Sequence, residues 1–145
     1  MDERAPRPLP WQGEWPVIGA VAVGGALGAT ARYAAGLLWP TPEAAFPWTT
    51  LVVNVVGCAL MGILMVLITE VWTGHRLLRP FLGTGILGGF TTFSTYAVDI
   101  GRLAAAGRLP LALAYLAGTL LAALSAVALA GATTRALLGL RRRPA

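Results

Sequence analysis

Four long apolar runs, separated by short polar connections, organise the chain. The first extends from about Trp15 to Leu38, flanked by Trp11, Trp15 and Trp39. The second extends from about Trp48 to Ile68 behind Pro47, and the third from about Arg79 to Leu103 with Pro80 in its first turn. The fourth extends from about Pro110 to Leu129. Each is long enough to cross a hydrocarbon layer, which takes ~20 helical residues. Proline suits a helix start, where its missing N–H has no intrahelical partner to lose. Tryptophan at the ends suits the membrane–water interface. The pattern predicts an all-α membrane protein with four transmembrane helices. The helical domain is expected over residues 15–135, with 1–14 as an N-terminal tail and 136–145 as a basic C-terminal tail.

The third run departs from the others. It carries no charge from Phe81 to Val98, yet it contains Gly88-Gly89-Phe90-Thr91-Thr92-Phe93-Ser94-Thr95-Tyr96. Four hydroxyl residues, interrupted only by Phe93, follow a Gly-Gly pair. Lipid satisfies neither stray hydroxyls nor irregular backbone, so this segment must face protein or water. It reads as a helix broken near mid-membrane, beside a site for a small solute.

Depth and helical phase place other polar residues near it. Arg32 lies sixteen positions past Pro16, roughly 24 Å in at ~1.5 Å per residue. Thr50 and Asn54 fall in the first two turns of the second run, and Tyr115 and Thr119 in the first three turns of the fourth. Both runs start on the outer side, so the polar groups share one half of the membrane. Gly24, Gly28 and Arg32 share a helix face at i, i+4 and i+8, and Thr50, Asn54 and Gly57 share another. Gly24 with Gly28, and Gly85 with Gly89, form small-xxx-small pairs that let helices approach closely.

Composition sets the class. The chain is 57% hydrophobic and 12% charged, with a mean hydropathy of +0.71, too little polarity for a soluble surface. All 11 basic residues are Arg. Apart from Arg32 they lie at or beyond the ends of the runs, so the pI of about 10.7 reflects a membrane surface rather than nucleic acid. Arg4, Arg7, Arg76, Arg79, Arg135, Arg141, Arg142 and Arg143 fall on the side of the termini, and only Arg102 and Arg108 on the other. That bias predicts cytoplasmic termini in the cell membrane. Met1 to Pro10 has mixed charges and three prolines, unlike a signal peptide. Cys58 is the only cysteine, which leaves no intrachain disulfide and suits a small packing residue.

The chemistry is then narrow. Glu14, Glu43, Glu70 and Asp99 are expected at or near helix ends, solvated, and His75 in a loop. No nucleophilic set, metal-ligand spacing or phosphate loop is present, so no enzyme is expected. Interior hydroxyls, one amide and aromatic edges offer hydrogen-bond donors and positive ring edges. Arg32 adds a full positive charge. Such a set suits a small anion that loses water on entry and must still be able to leave.

Gly24-Gly25-Ala26-Leu27-Gly28 with Arg32-Tyr33, Asn54-Val55-Val56-Gly57, Gly83-Thr84-Gly85 and the Gly88 to Thr95 run resemble the Fluc (CrcB) family of fluoride channels. The similarity covers about Gly19 to Thr119. It implies passive export of fluoride from the cytoplasm through an antiparallel dimer with two pores. It also implies a structural sodium ion held by the backbone carbonyls of Gly88 and Thr91. The implied pore residues are Asn54, Phe93 and Tyr96, with Thr50, Ser94, Thr95, Tyr115 and Thr119, and Arg32 in a vestibule. Tyr96 departs from the family's usual Phe, and Ala123 stands where the polar track often continues with a hydroxyl. Other readings remain for single residues: Asn54 as an interhelical hydrogen bond, Arg32 as a residue snorkelling to the interface, and Tyr115 as an interfacial anchor. A small four-helix multidrug exporter and a non-transporting assembly factor are the alternative functions.

Overall fold

The computed structural model describes residues 13–72 and 76–139. Arg4, Arg7, Trp11, His75 and Arg141 to Arg143 lie outside them. Every regular element among the described residues is helical. Helix α1 is Trp15–Leu38, with Pro16 in its first turn. Helix α2 is Trp48–Val71; its last turn, Leu67–Val71, is widened, and the Trp72 N–H reaches the Leu67 carbonyl at 2.7 Å. Helix α3 comprises Pro80–Leu87, also wide-turned, and Gly88–Phe90. Helix α4 is Ser94–Ala105 and helix α5 is Leu109–Leu137. Three helices, α1, α2 and α5, are long and apolar enough to cross a membrane by themselves. Residues 80–105 instead form two shorter pieces, α3 and α4.

Local chemistry sets the ends. Pro110 stands in the first turn of α5. Gly107 takes a φ of 71° between α4 and α5, a conformation that glycine adopts without a Cβ clash. Around it, the Gly107 N–H reaches the Ala104 carbonyl at 3.0 Å and the Arg108 N–H reaches Leu103 at 2.9 Å. This pair of bonds closes a helix end in the Schellman manner. The Thr49 hydroxyl donates to the Trp39 carbonyl and ties the loop after α1 to the start of α2.

The helices pack in two parallel pairs. Helix α1 runs with α3, and the contact is backbone on backbone. A Cβ on Gly24 would lie 2.5 Å from the Phe81 carbonyl oxygen, and one on Gly28 would lie 2.7 Å from the Phe90 nitrogen. Helix α2 runs with α5, where Gly62 faces the backbone of Val127 and Gly131. The Glu70 carboxylate accepts from Arg135 Nε at 2.5 Å at the end of that pair; Glu70 is exposed at the helix end, as expected, and is ion-paired there. Helix α4 lies against α5 and buries Asp99 and Leu103. The small core comprises Leu103, Ala112 and Tyr115, with Phe46, Leu51 and Tyr96 packed on it. Large apolar side chains such as Leu38, Leu121 and Leu137 are exposed around the outside, as suits a lipid-facing surface.

The tightness of the α1–α3 contact is testable. Gly28→Val forces backbone away from backbone, and such overpacking costs about 1–3 kcal/mol or more. The detergent-solubilised variant is expected to melt well below the wild type. Gly19 has open space around it, so Gly19→Ala is expected to melt with the wild type. Equal melting of all three proteins would refute the close approach.

Candidate functional site

The backbone leaves the helix at Thr91, which takes φ −72° and ψ 158°. Gly88, Gly89 and Phe90 keep helical geometry, so the departure begins three residues after the Gly-Gly pair starts. The Thr91 N–H and hydroxyl both reach the Leu87 carbonyl at 3.0 Å. The Thr92 N–H would close the next turn onto Gly88 in a continuous helix. It donates instead to the Asn54 side-chain oxygen at 2.7 Å, and the Asn54 amide donates back to the Thr92 carbonyl at 2.9 Å. Only a side-chain amide offers a donor and an acceptor with the spacing of a peptide group. Asn54 therefore supplies, from α2, the partner that the third run loses at its break.

Other side chains complete the repair. Arg32 Nε donates to the Gly89 carbonyl at 3.2 Å, placing a cation at the negative end of α3. The Thr92 hydroxyl accepts the Thr95 N–H at 3.1 Å and bonds the Thr95 hydroxyl at 3.1 Å, which starts α4 as an N-cap does. Gly57 packs against the Thr91 methyl and the Phe90 ring; a side chain there would push the break away from α2.

A second polar cluster lies nearby, around Asp99. This carboxylate is 8% exposed, which corrects the expectation of a solvated helix-end residue. It accepts from the Thr50 hydroxyl at 2.8 Å and from the Tyr115 hydroxyl at 3.5 Å. Arg102 stands 4.0 Å from the other carboxylate oxygen and is itself exposed. The physical reason is the restart of the helix at Ser94. Counted from there, Tyr96, Asp99 and Leu103 fall on one face at i, i+3 and i+7, and that face meets α2 and α5. The spacing from Tyr96 to Asp99 was the available signal.

The aromatic residues divide. Phe93 is 79% exposed, with its ring centroid 5.8 Å from that of Tyr96. Tyr96 lies 5.4 Å from Tyr115, and Phe46 meets Tyr115 edge-on at 5.3 Å. The Tyr96 hydroxyl donates to the Leu116 carbonyl at 2.6 Å. Tyr115 is wholly buried rather than placed at an interface.

Three cavities surround these groups. A groove of about 230 Å³ brings together Asn54, Cys58, Thr91, Phe93, Tyr96 and Thr119. A second of about 330 Å³ joins Arg32, Thr49, Thr50, Thr92 and Thr95. A third of about 560 Å³ lies beside Glu43, Asp99 and Arg102. The candidate residues thus fall mainly in two grooves that share Thr92, and Tyr115 is buried and lines none of the three. Ser94 is exposed and lines none of the three. Thr119 is 4% exposed, and its hydroxyl has no hydrogen-bond partner among the described residues.

Comparison with known proteins gives the family. The family model described as CrcB-like protein, Camphor Resistance (CrcB), matches residues 19–139. A Streptomyces coelicolor protein named fluoride-specific ion channel FluC 1 is 61% identical over 138 residues, covering 95% of this chain and 90% of that protein. FluC 2 of Streptomyces avermitilis is 65% identical over 119 residues, covering 81% of this chain and 75% of that protein. FluC of Paracoccus denitrificans is 46% identical over 113 residues, covering 78% and 89%. This chain is therefore a member of the CrcB-like family.

Proposed function

We propose that the chain is the subunit of a fluoride-selective channel that lets fluoride leave the cytoplasm passively across the cell membrane. The observation that carries this reading is the groove beside the break. It places the buried, unpartnered Thr119 hydroxyl beside Asn54, Thr91 and the rings of Phe93 and Tyr96. A hydroxyl hydrogen and positive ring edges replace the water of a small anion without holding it as a full charge would. The close relatives named for fluoride support the choice of anion. Neutral HF crosses membranes and dissociates in a more alkaline cytoplasm, so a leak for the anion alone lowers internal fluoride.

In this reading Arg32 and Thr50 draw the anion toward the break from one groove. Phe93, Tyr96 and Thr119 line the other, and Ser94 and Thr95 supply further hydroxyls. Asp99 holds the Thr50 and Tyr115 hydroxyls in place. The same buried carboxylate is the one observation favouring the alternative, a proton-coupled multidrug exporter, because such exporters need an interior acid. Helix α1 carries no acid between Val17 and Leu38, and the named relatives weigh toward the channel. Fluoride efflux from proteoliposomes, with chloride and a lipophilic cation as controls, separates the two. Rapid fluoride efflux is expected, with little of either control and with loss in Phe93→Ile. Equal efflux of fluoride and chloride, or cation movement alone, would falsify the channel reading.

Asn54 has a role that its position alone does not reveal. Asn54→Asp keeps the acceptor and removes the donor to Thr92. An unsatisfied buried carbonyl costs about 1–3 kcal/mol, so the variant is expected to melt lower and to lose efflux together. A variant that melts normally yet fails to conduct would separate Asn54 from the break.

The functional unit in this reading is an antiparallel dimer with the break near mid-membrane; paired with a relative, this chain keeps its termini cytoplasmic, and paired with a second copy it inserts in both orientations. A structural sodium ion fits at the break. The Gly88 carbonyl has lost its usual helical donor, because the Thr92 N–H turns to Asn54. The extended Thr91 turns its own carbonyl out of the helix. Carbonyl oxygens are the ligands a hard monovalent cation takes. A crystal structure in sodium is expected to place density on the two-fold axis between oppositely oriented chains, coordinated by Gly88 and Thr91. Parallel chains, or water alone at that position, would sink this assignment.

A further inference from the structure

Cys58 is the only cysteine of the chain, and it is half-buried in α2. It follows Asn54 by four residues, so it continues the Thr50, Asn54 face by one more turn. It lines the same groove as Phe93, Tyr96 and Thr119. The Thr119 hydroxyl in that groove is buried and has no partner among the described residues, and such a group calls for a water, an ion or a ligand beside it. Ala123 on α5 lines the same groove and brings to it only a single methyl.

We propose that Cys58 is an inhibitory site for soft, thiophilic metal cations, whose binding closes the groove beside Phe93. The proposal rests on the reading of that groove as the anion path. Sulfur is the ligand soft cations select, whereas harder ions take oxygen and imidazole. No group of three or more His, Cys, Asp or Glu that could hold a metal exists among the described residues. A chelating site of the zinc kind is therefore not built here. A cation content with one or two ligands, such as Hg²⁺ or Ag⁺, needs only the thiol and a water or halide. For Hg²⁺ the S–H bond breaks, an S–Hg bond forms and the proton passes to water. Sulfur and mercury keep their oxidation states, so no oxidant or reductant is required. The bound ion then sits one turn from the Asn54–Thr92 bonds. It places a positive centre and its own water where fluoride must shed hydration, so it both fills the groove and traps the anion.

The test uses the full chain in liposomes, treated with mercuric chloride. Intact-mass measurement reads loading, and a fluoride electrode reads efflux. One mercury per chain is expected, with efflux reduced about tenfold or more by occlusion and restored by excess dithiothreitol. Cys58→Ala is expected to give the same efflux with and without mercury, and Cys58→Ser serves if that variant does not fold. Loading of Cys58 with unchanged efflux overturns the proposal, as does a failure to load or equal inhibition of the Cys58→Ala protein. No efflux from untreated protein removes the channel reading itself, and this proposal with it; normal efflux that ignores mercury removes only the proposal.

Discussion

A peptide group shielded from water keeps a hydrogen bond or costs several kcal/mol. The rest of this structure depends on how that constraint is met at Thr91 to Phe93. A continuous third helix would satisfy itself and offer nothing to a solute. An open break would not be tolerated. The chain takes a third course, in which Asn54 stands in for a missing peptide and Arg32 and the Thr92 hydroxyl tend the two helix ends. These three partners come from α1, α2 and the break itself. The break is therefore a tertiary object, and the glycine contacts between α1 and α3 are what bring Arg32 within reach of it.

The polar groups next to the break obey a related economy. Thr50, Tyr115 and Asp99 satisfy one another, and Tyr96 satisfies the Leu116 carbonyl. Among the described residues one buried hydroxyl, that of Thr119, is left over. A membrane protein built only for stability would remove it, since alanine there would avoid an unpartnered oxygen. A buried carboxylate beside the proposed anion path looks contradictory. Two hydroxyl donors and a nearby Arg102 temper its charge, and it fixes the direction in which those hydroxyls point.

Much of the architecture was legible because membrane helices report their length and ends directly. The bounds of α1, the proline starts and the small-xxx-small pairs all follow from the run of residues. The special character of the third run was also legible, since Gly-Gly followed by four hydroxyls has no purpose in a plain span. Asp99 was not legible by counting from the end of the run, because the helix restarts at Ser94 and its phase must be counted from there. The use of both Asn54 side-chain atoms was hidden as well. Sequence places Asn54 on a face but does not say which peptide group it meets. The partner of the Tyr96 hydroxyl was hidden too, and only the packing of α4 on α5 shows it bound to a backbone carbonyl.

The Glu70–Arg135 ion pair joins residues 65 positions apart. The same offset separates Gly62 from Val127, which touch, Asn54 from Thr119, which share a groove, and Thr50 from Tyr115, which share a carboxylate. Helices α2 and α5 are thus graduated alike from one zero point at the ion pair. Asn54 and Thr119 each stand sixteen residues from it, roughly 24 Å at ~1.5 Å per residue. A slip of one helix by a single turn, ~5.4 Å, would misalign all four levels at once. The charged pair at the far end of the helices therefore works as a gauge, setting the level at which the two walls of the groove meet.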